Sequence, residues 1–171
     1  MKSDRRSDGL SFKEAFKKGD LSDKTALILS SWFGAGLMPA ASGTFGTLAT
    51  VPFAVVIKYF GWISECLFLI ALIPFALWSS HLSQRCLANN DPSEVVIDEA
   101  AGFCLAVFLL PFTFISFILG FLLFRVFDIV KPFPIGLIDR RMKGGPGIVL
   151  DDLVAGLFAN ICARIILLLI G

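Results

Sequence analysis

The chain has 171 residues, of which 56% are hydrophobic and only 17% charged, with a mean hydropathy of +0.81. Soluble domains carry roughly 25% charged residues, so this composition excludes an ordinary water-soluble domain. A net charge of +1, with no basic amphipathic face, argues against a nucleic-acid partner.

Charge is clumped along the chain. Residues 2–24 hold seven Lys/Arg and five Asp/Glu, 12 of the 29 charged residues, whereas Thr25 to Ile57 and Ala100 to Phe124 hold none. These runs exceed the ~20 residues that cross a bilayer core, which predicts an all-α, polytopic helical membrane protein. Residues 1–24 are polar, mixed in sign and without the apolar core of a secretory signal, so they are expected to form a disordered cytoplasmic tail ahead of a single membrane domain at 25–171. A first element at 26–40, broken by Gly34, Gly36 and Pro39, is expected to be short or re-entrant. About five crossing helices follow, at 46–60, 63–80, 93–110, 115–130 and 150–170, divided at Pro39 with Gly43–Gly46, at Tyr59–Trp62 and at Pro111–Thr113. Ser93 and Asp151 are expected as N-caps, and the four dispersed cysteines as buried thiols.

With five crossings, the polar islands at 42–47, 81–99 and 125–152 share one face with the N-terminal tail. That face collects thirteen of the fifteen Lys/Arg and leaves only Lys58 and Arg164 elsewhere. The positive-inside rule makes it cytoplasmic.

The same face gathers nearly all the acids. Asp98 and Glu99 fall near the start of one helix, Asp128 near the end of the next, and Asp151 and Asp152 at the start of the last. Carboxylates brought together repel unless cations or protons intervene, and an all-oxygen set without His or Cys suits Mg²⁺ rather than zinc. Solvated helix caps and interfacial ion pairs would produce the same pattern. Arg125, three residues before Asp128, is placed for an intrahelical ion pair. Lys131 precedes Pro132-Phe133-Pro134, which must end the helix. Two glycine segments, Gly43-Thr44-Phe45-Gly46-Thr47 and, after Lys143, Gly144-Gly145-Pro146-Gly147, could aim backbone N–H groups at a phosphate, although helix packing uses such glycines equally well.

Acids of Mg²⁺ type, phosphate-type cations and glycine loops on one membrane face point to a phosphate carried on a lipid. No cysteine is followed six positions later by Arg, no Asp-x-Asp-x-Thr occurs, and His81 is the lone histidine, so the cysteine, haloacid-dehalogenase and histidine phosphatase mechanisms are excluded. A small transporter or ion-conducting subunit is the rival reading, with the acids as an ion site. It predicts acids spread through the membrane depth.

Four ordered segments carry a family resemblance: GTFGTLATVPF at 43–53, IDEAAGF at 97–103, FRVFDIVKPFPI at 124–135 and DRRMKGGPGIVLDDLVAG at 139–156. Together they resemble the successive signatures of bacterial phosphatidylglycerophosphatase A, with Ile97 in place of the Trp of that pattern. The resemblance implies a Mg²⁺-dependent inner-membrane enzyme that hydrolyses phosphatidylglycerophosphate to phosphatidylglycerol and phosphate. It carries over Asp98, Glu99, Asp128, Asp151 and Asp152 as catalytic or metal-binding positions, with Arg125 and Lys131 as phosphate partners. Lys143 and the glycine segments (Gly43, Thr44, Gly46, Thr47, Gly144, Gly145) complete the candidate phosphate site.

Overall fold

The computed structural model describes residues 10–89, 91–142 and 144–170, and these residues are helical with no strand among them. The order is α1 Phe12–Lys18, α2 Leu21–Ser30, a short 3₁₀ turn Ala35–Leu37, α3 Ser42–Tyr59, α4 Trp62–Leu87, α5 Ile97–Val107, α6 Phe114–Val130, α7 Ile135–Arg141 and α8 Gly145–Ile170.

The part of the tail from residue 12 onward is ordered helix, contrary to expectation; residues 1–9 lie outside the described residues. Two capping boxes account for the order. Ser11 and Glu14 cap α1 reciprocally, as do Asp20 and Asp23 at α2, each pairing satisfying otherwise orphaned N–H groups. Leu27 of α2 and Ala15 of α1 then bury against Leu87 of α4, so the charged segment is anchored by a small apolar cluster.

α5 lies at the centre. Nine of its residues are buried, from Ile97 and Asp98 through Phe103 to Val107, and it packs chiefly on α8 and also on α3, α4 and α6. Small residues make that approach possible. A Cβ on Gly156 would collide with the carbonyl oxygen of Gly102, and Ala155, Ala159 and Ala163 continue the stripe along α8 with no exposure. Close backbone contact through small residues is how helices associate where lipid removes the hydrophobic drive.

Among the described residues two helices, α4 and α8, each of 26 residues, are long and apolar enough to cross a membrane; the expected count of five is not confirmed. α5 has 11 residues, roughly 16 Å of helix, half of a ~30 Å core. α4 runs on to Leu87 rather than stopping at 80, because its polar stretch faces protein. Ser79, Ser80 and Ser83 are buried, and Ser83 shares a 2.7 Å hydrogen bond with Ser30 of α2. The expected caps also differ. Val96, not Ser93, precedes α5, and Asp151 lies well inside α8, which begins at Gly145. The cysteines are free; Cys104 alone is buried, and Cys66, Cys86 and Cys162 are half-buried.

Candidate active site

Three helix starts and one helix end converge on a cavity of about 380 Å³. Asp98 and Glu99 sit in the first turn of α5, Asp128 in the last turn of α6, and Asp151 and Asp152 about two turns into α8. All five line the cavity, together with Asp91, Asp139 of α7 and Ser42 at the start of α3. The structure thus brings together every acid expected from the sequence and adds Asp91 and Asp139. Lys131 is the cation that lines it among the described residues.

One carboxylate oxygen from each of Asp98, Glu99 and Asp152 lies within 4.8 Å of the others, and Asp98 and Asp152 are 3% and 4% exposed. At that spacing two ionised carboxylates repel by about 3 kcal/mol even at an effective dielectric of ~20. Oδ1 of Asp151 and Oε2 of Glu99 are buried without a hydrogen-bond partner, which is costly unless something outside the chain supplies one. An all-oxygen trio flanked by orphaned carboxylate oxygens fits a hard divalent cation such as Mg²⁺.

The two cations differ in role. Arg125 sits behind the acids: Nη1 donates to Asp128 Oδ2 at 2.6 Å, confirming the intrahelical pair, and the side chain is 15% exposed. Gly43 is where α3 passes this pair, because a Cβ there would strike Glu99 Oε1 and come within 3.2 Å of Arg125 Nη1. Lys131 ends α6 in the left-handed region at φ 45, a conformation that costs a non-glycine residue on the order of 1 kcal/mol and recurs at functional sites. Its ammonium donates to Asp151 Oδ2 at 2.6 Å and to Asp139 Oδ1 at 2.7 Å. Burial alone would lower the Lys131 pKa, but these two carboxylates outweigh it and hold the ammonium above the usual lysine range.

Apart from Gly144, the described residues of the glycine segments are helix, not loop. Gly43, Gly46 and Thr47 are buried in α3 and Thr44 is half-buried; Thr47 donates its hydroxyl to the Gly43 carbonyl at 2.8 Å, and a Cβ on Gly46 would meet Val96 at 2.7 Å. Gly145 packs on α4, where a Cβ would stand 2.7 Å from the His81 backbone. Gly144, at φ 91, and Gly147 do line the cavity. Lys143 lies outside the described residues. What faces the cavity is the start of α3 at Ser42, where the N–H groups of a first helical turn and the positive dipole end favour an anion; at the start of α8 Pro146 has no N–H, and those of Gly147 and Ile148 donate to the Gly144 carbonyl. Ser42 gave no sequence signal; Asp139 could have been found from its position between the KPFP segment and the glycines.

Comparison with known proteins adds to this geometry. The family model described as Phosphatidylglycerophosphatase A matches residues 28–167. The chain belongs to the phosphatidylglycerophosphatase A family. It is 33% identical over 133 residues to Phosphatidylglycerophosphatase A of Escherichia coli strain K12, covering 77% of each chain. It is 35% identical over 138 residues to the Haemophilus influenzae protein of the same name, covering 78% of this chain and 83% of that one. A Bacteroides thetaiotaomicron protein with the provisional designation phosphatidylinositol-3-phosphatase is 31% identical over 159 residues, covering 85% and 95%. No solved structure matches. Within the family match fall α3 to α7 and nearly all of α8; α1 and most of α2 precede it.

Proposed function

We propose that this chain hydrolyses the terminal phosphomonoester of phosphatidylglycerophosphate, giving phosphatidylglycerol and inorganic phosphate, with Mg²⁺ at the carboxylate cavity and that cavity facing the cytoplasm from the bacterial inner membrane. The observation that carries the proposal is the clustering of seven carboxylates and one ammonium around one cavity. A phosphate cannot enter so negative a site unless cations screen it, so the same acids that repel a bare anion select a metal-assisted one. Membership of the family and the relatives' printed names supply the substrate.

Asp98, Glu99 and Asp152 would hold the metal, with Asp128 and Asp151 beside them. Bound Mg²⁺ would supply charge neutralisation and polarise a phosphoryl oxygen. Lys131 has the reach to exchange Asp139 for a non-bridging phosphoryl oxygen while keeping Asp151, because it already spans both carboxylates. Arg125 fixes Asp128 by its 2.6 Å hydrogen bond and acts as a positioning residue. The start of α3 at Ser42 offers further N–H donors to the anion. Oδ1 of Asp151, buried and unpartnered, is placed to accept a proton from the attacking water.

The membrane setting rests on α4 and α8 and on the apolar side chains left exposed around the bundle, such as Ile70 at 69%, Phe114 at 79%, Ile129 at 70% and Leu168 at 84%. With the acyl chains left in the bilayer, the site needs to enclose only a headgroup, consistent with an open polar cavity. The transporter reading loses ground because the acids cluster at one end of α8 and the core of α5 between Glu99 and Phe108 is apolar. A phosphoinositide headgroup is the second substrate reading, raised by the Bacteroides relative. Phosphate release from both lipids by the purified chain tests the proposal and separates the two.

A further inference from the structure

α3 and α6 both reach the carboxylate cavity, through Ser42 at the start of α3 and Asp128 in the last turn of α6. Each packs mainly on other helices and only lightly on its neighbour: α3 on α5, and α6 on α8 and α5. Glycine draws them in. A Cβ on Gly120 of α6 would stand 2.6 Å from Val107 of α5, and one on Gly46 of α3 would meet Val96, the residue before α5. Between α3 and α6 this leaves an apolar cleft of about 320 Å³, whose walls include Leu48 and Val51 of α3 and Phe114, Ile118, Phe121 and Leu122 of α6. The neighbouring helix pairs at the cavity are closed, α6 on α8 by Phe127 against Phe158 at 6.0 Å and α5 on α8 by Gly102 against Gly156.

The depth of the cleft follows from residue number. Leu48 comes six residues after Ser42 and Leu122 six before Asp128, roughly 9 Å of helix in each case. Phe114 lies fourteen residues before Asp128, roughly 21 Å along the same helix. The cleft therefore opens about 9 Å from the carboxylates and runs about 12 Å farther from them, close to the ~15 Å of hydrocarbon in one leaflet. Polar lining gives way to apolar lining at its upper end. Thr44, one turn before Leu48 on the same face of α3, and Arg125, one turn after Leu122 on α6, stand between the cleft and the acids.

A phospholipid with a terminal phosphate has the same order from the membrane surface inward: the phosphate, a polar headgroup, then acyl chains directed at the bilayer midplane. We propose that the cleft between α3 and α6 holds an acyl chain of the lipid whose terminal phosphate enters the carboxylate cavity, so that the substrate arrives sideways from the leaflet on the cavity side. The chain keeps contact with the bilayer along the open side of the cleft. It gains little by hydrophobicity, because lipid tails are as apolar as leucine. The cleft acts instead by fixing where the headgroup stands relative to the acids. The proposal rests on the lipid-phosphatase reading of the cavity.

The experiment measures phosphate release by the purified full chain from long-chain phosphatidylglycerophosphate in mixed micelles with Mg²⁺. Leu48→Trp and Leu122→Trp fill the cleft from its two walls. The two leucines are 53% and 55% exposed, so the larger ring displaces lipid and not core. Ile161→Trp is the control: 48% exposed on α8 and nine residues past Asp152, it puts the same ring roughly 13 Å along the helix from the acids, outside the cleft. Each cleft variant should lose at least ~10-fold in kcat/KM, the scale of a headgroup displaced by a fraction of an ångström, whereas Ile161→Trp should match the parent. Melting temperature and apparent Mg²⁺ affinity should stay at the parent values in all three. Parent-like kcat/KM in either leucine variant, or an equal loss in Ile161→Trp, would overturn the cleft, while release by the parent chain keeps the phosphatase reading standing. A loss accompanied by weaker Mg²⁺ affinity would make the leucines supports of the cavity and overturn the cleft as well. No release by the parent chain would remove the phosphatase reading and the cleft with it.

Discussion

Lys131 and Asp151, on different helices, are joined by a 2.6 Å hydrogen bond across the mouth of the cavity, and the same ammonium reaches Asp139 at 2.7 Å. A cation held between one buried carboxylate and one exposed one can release the exposed partner when an anion arrives. Lys131→Ala should therefore lower both kcat and kcat/KM, the pattern of lost transition-state stabilisation. Arg140, exposed at the end of α7, should behave differently. Arg140→Ala should mainly raise the apparent KM, and do so in anionic membranes at low salt, because a surface cation contributes about 1 kcal/mol of screened attraction. Kinetics in mixed micelles and in anionic vesicles check both; an unchanged kcat in Lys131→Ala would remove the residue from the phosphate site.

The carboxylates should be individually indispensable. Asp98→Asn, Asp128→Asn and Asp151→Asn keep size and polarity but remove charge, and each should cut turnover by at least ~10²-fold. Circular dichroism and gel filtration should stay as in the parent chain, since neutralising one member of a repelling cluster does not remove apolar packing. Near-normal turnover in two of the three would break the shared-site account.

Backbone contact between α5 and α8 sets the distance between Asp98 and Asp152. Gly156→Ala puts a methyl group where the Gly102 carbonyl stands and must push the helices apart. Overpacking of this kind costs ~1–3 kcal/mol. The expected result is a lower melting temperature together with a weaker apparent affinity for Mg²⁺ in the activity assay. Lower stability with unchanged Mg²⁺ dependence would show that the acid geometry does not depend on this crossing.

Topology gives a separate test. In a cysteine-free background, a single Cys at position 62 should react with an impermeant reagent added to intact cells, and a Cys at position 140 should not. Trp62, at the start of α4, and Arg140, near the end of α7, are both exposed. Labelling at 140 would place the cavity on the outer face.

The acids were legible in the sequence because charge in an apolar chain is conspicuous, and helix ends are where it can be solvated. The helix boundaries were less so, for a definable reason. Gly43, Gly46 and Gly145 read as breakers, yet they sit where another backbone or side chain approaches too closely for a Cβ, a property of the partner element that no local pattern encodes. Pro146 was compatible with a helix start at 145 all along, since proline is tolerated in the first turn. Ser83 read as part of a polar island because its partner, Ser30, is remote in sequence. The helical tail is a different case: both capping boxes, Ser11 with Glu14 and Asp20 with Asp23, are written in the sequence and were outweighed by the density of charge. Asp139 reads in the sequence as one more acid of the same face and not as a site residue, because its relation to Lys131 depends on how α7 folds back, eight residues on.

The central claim is Mg²⁺-dependent hydrolysis of phosphatidylglycerophosphate at the carboxylate cavity. Its most direct test is the time course of inorganic phosphate release by the purified full chain from phosphatidylglycerophosphate in mixed micelles, before and after chelation and again after Mg²⁺ is restored. Asp98→Asn and phosphatidylinositol 3-phosphate are run in parallel. The account predicts release that stops on chelation, resumes with Mg²⁺, is lost in Asp98→Asn and is much slower from the phosphoinositide. Release from phosphatidylglycerophosphate that persists in chelator, or none at all while the phosphoinositide is hydrolysed, would contradict it.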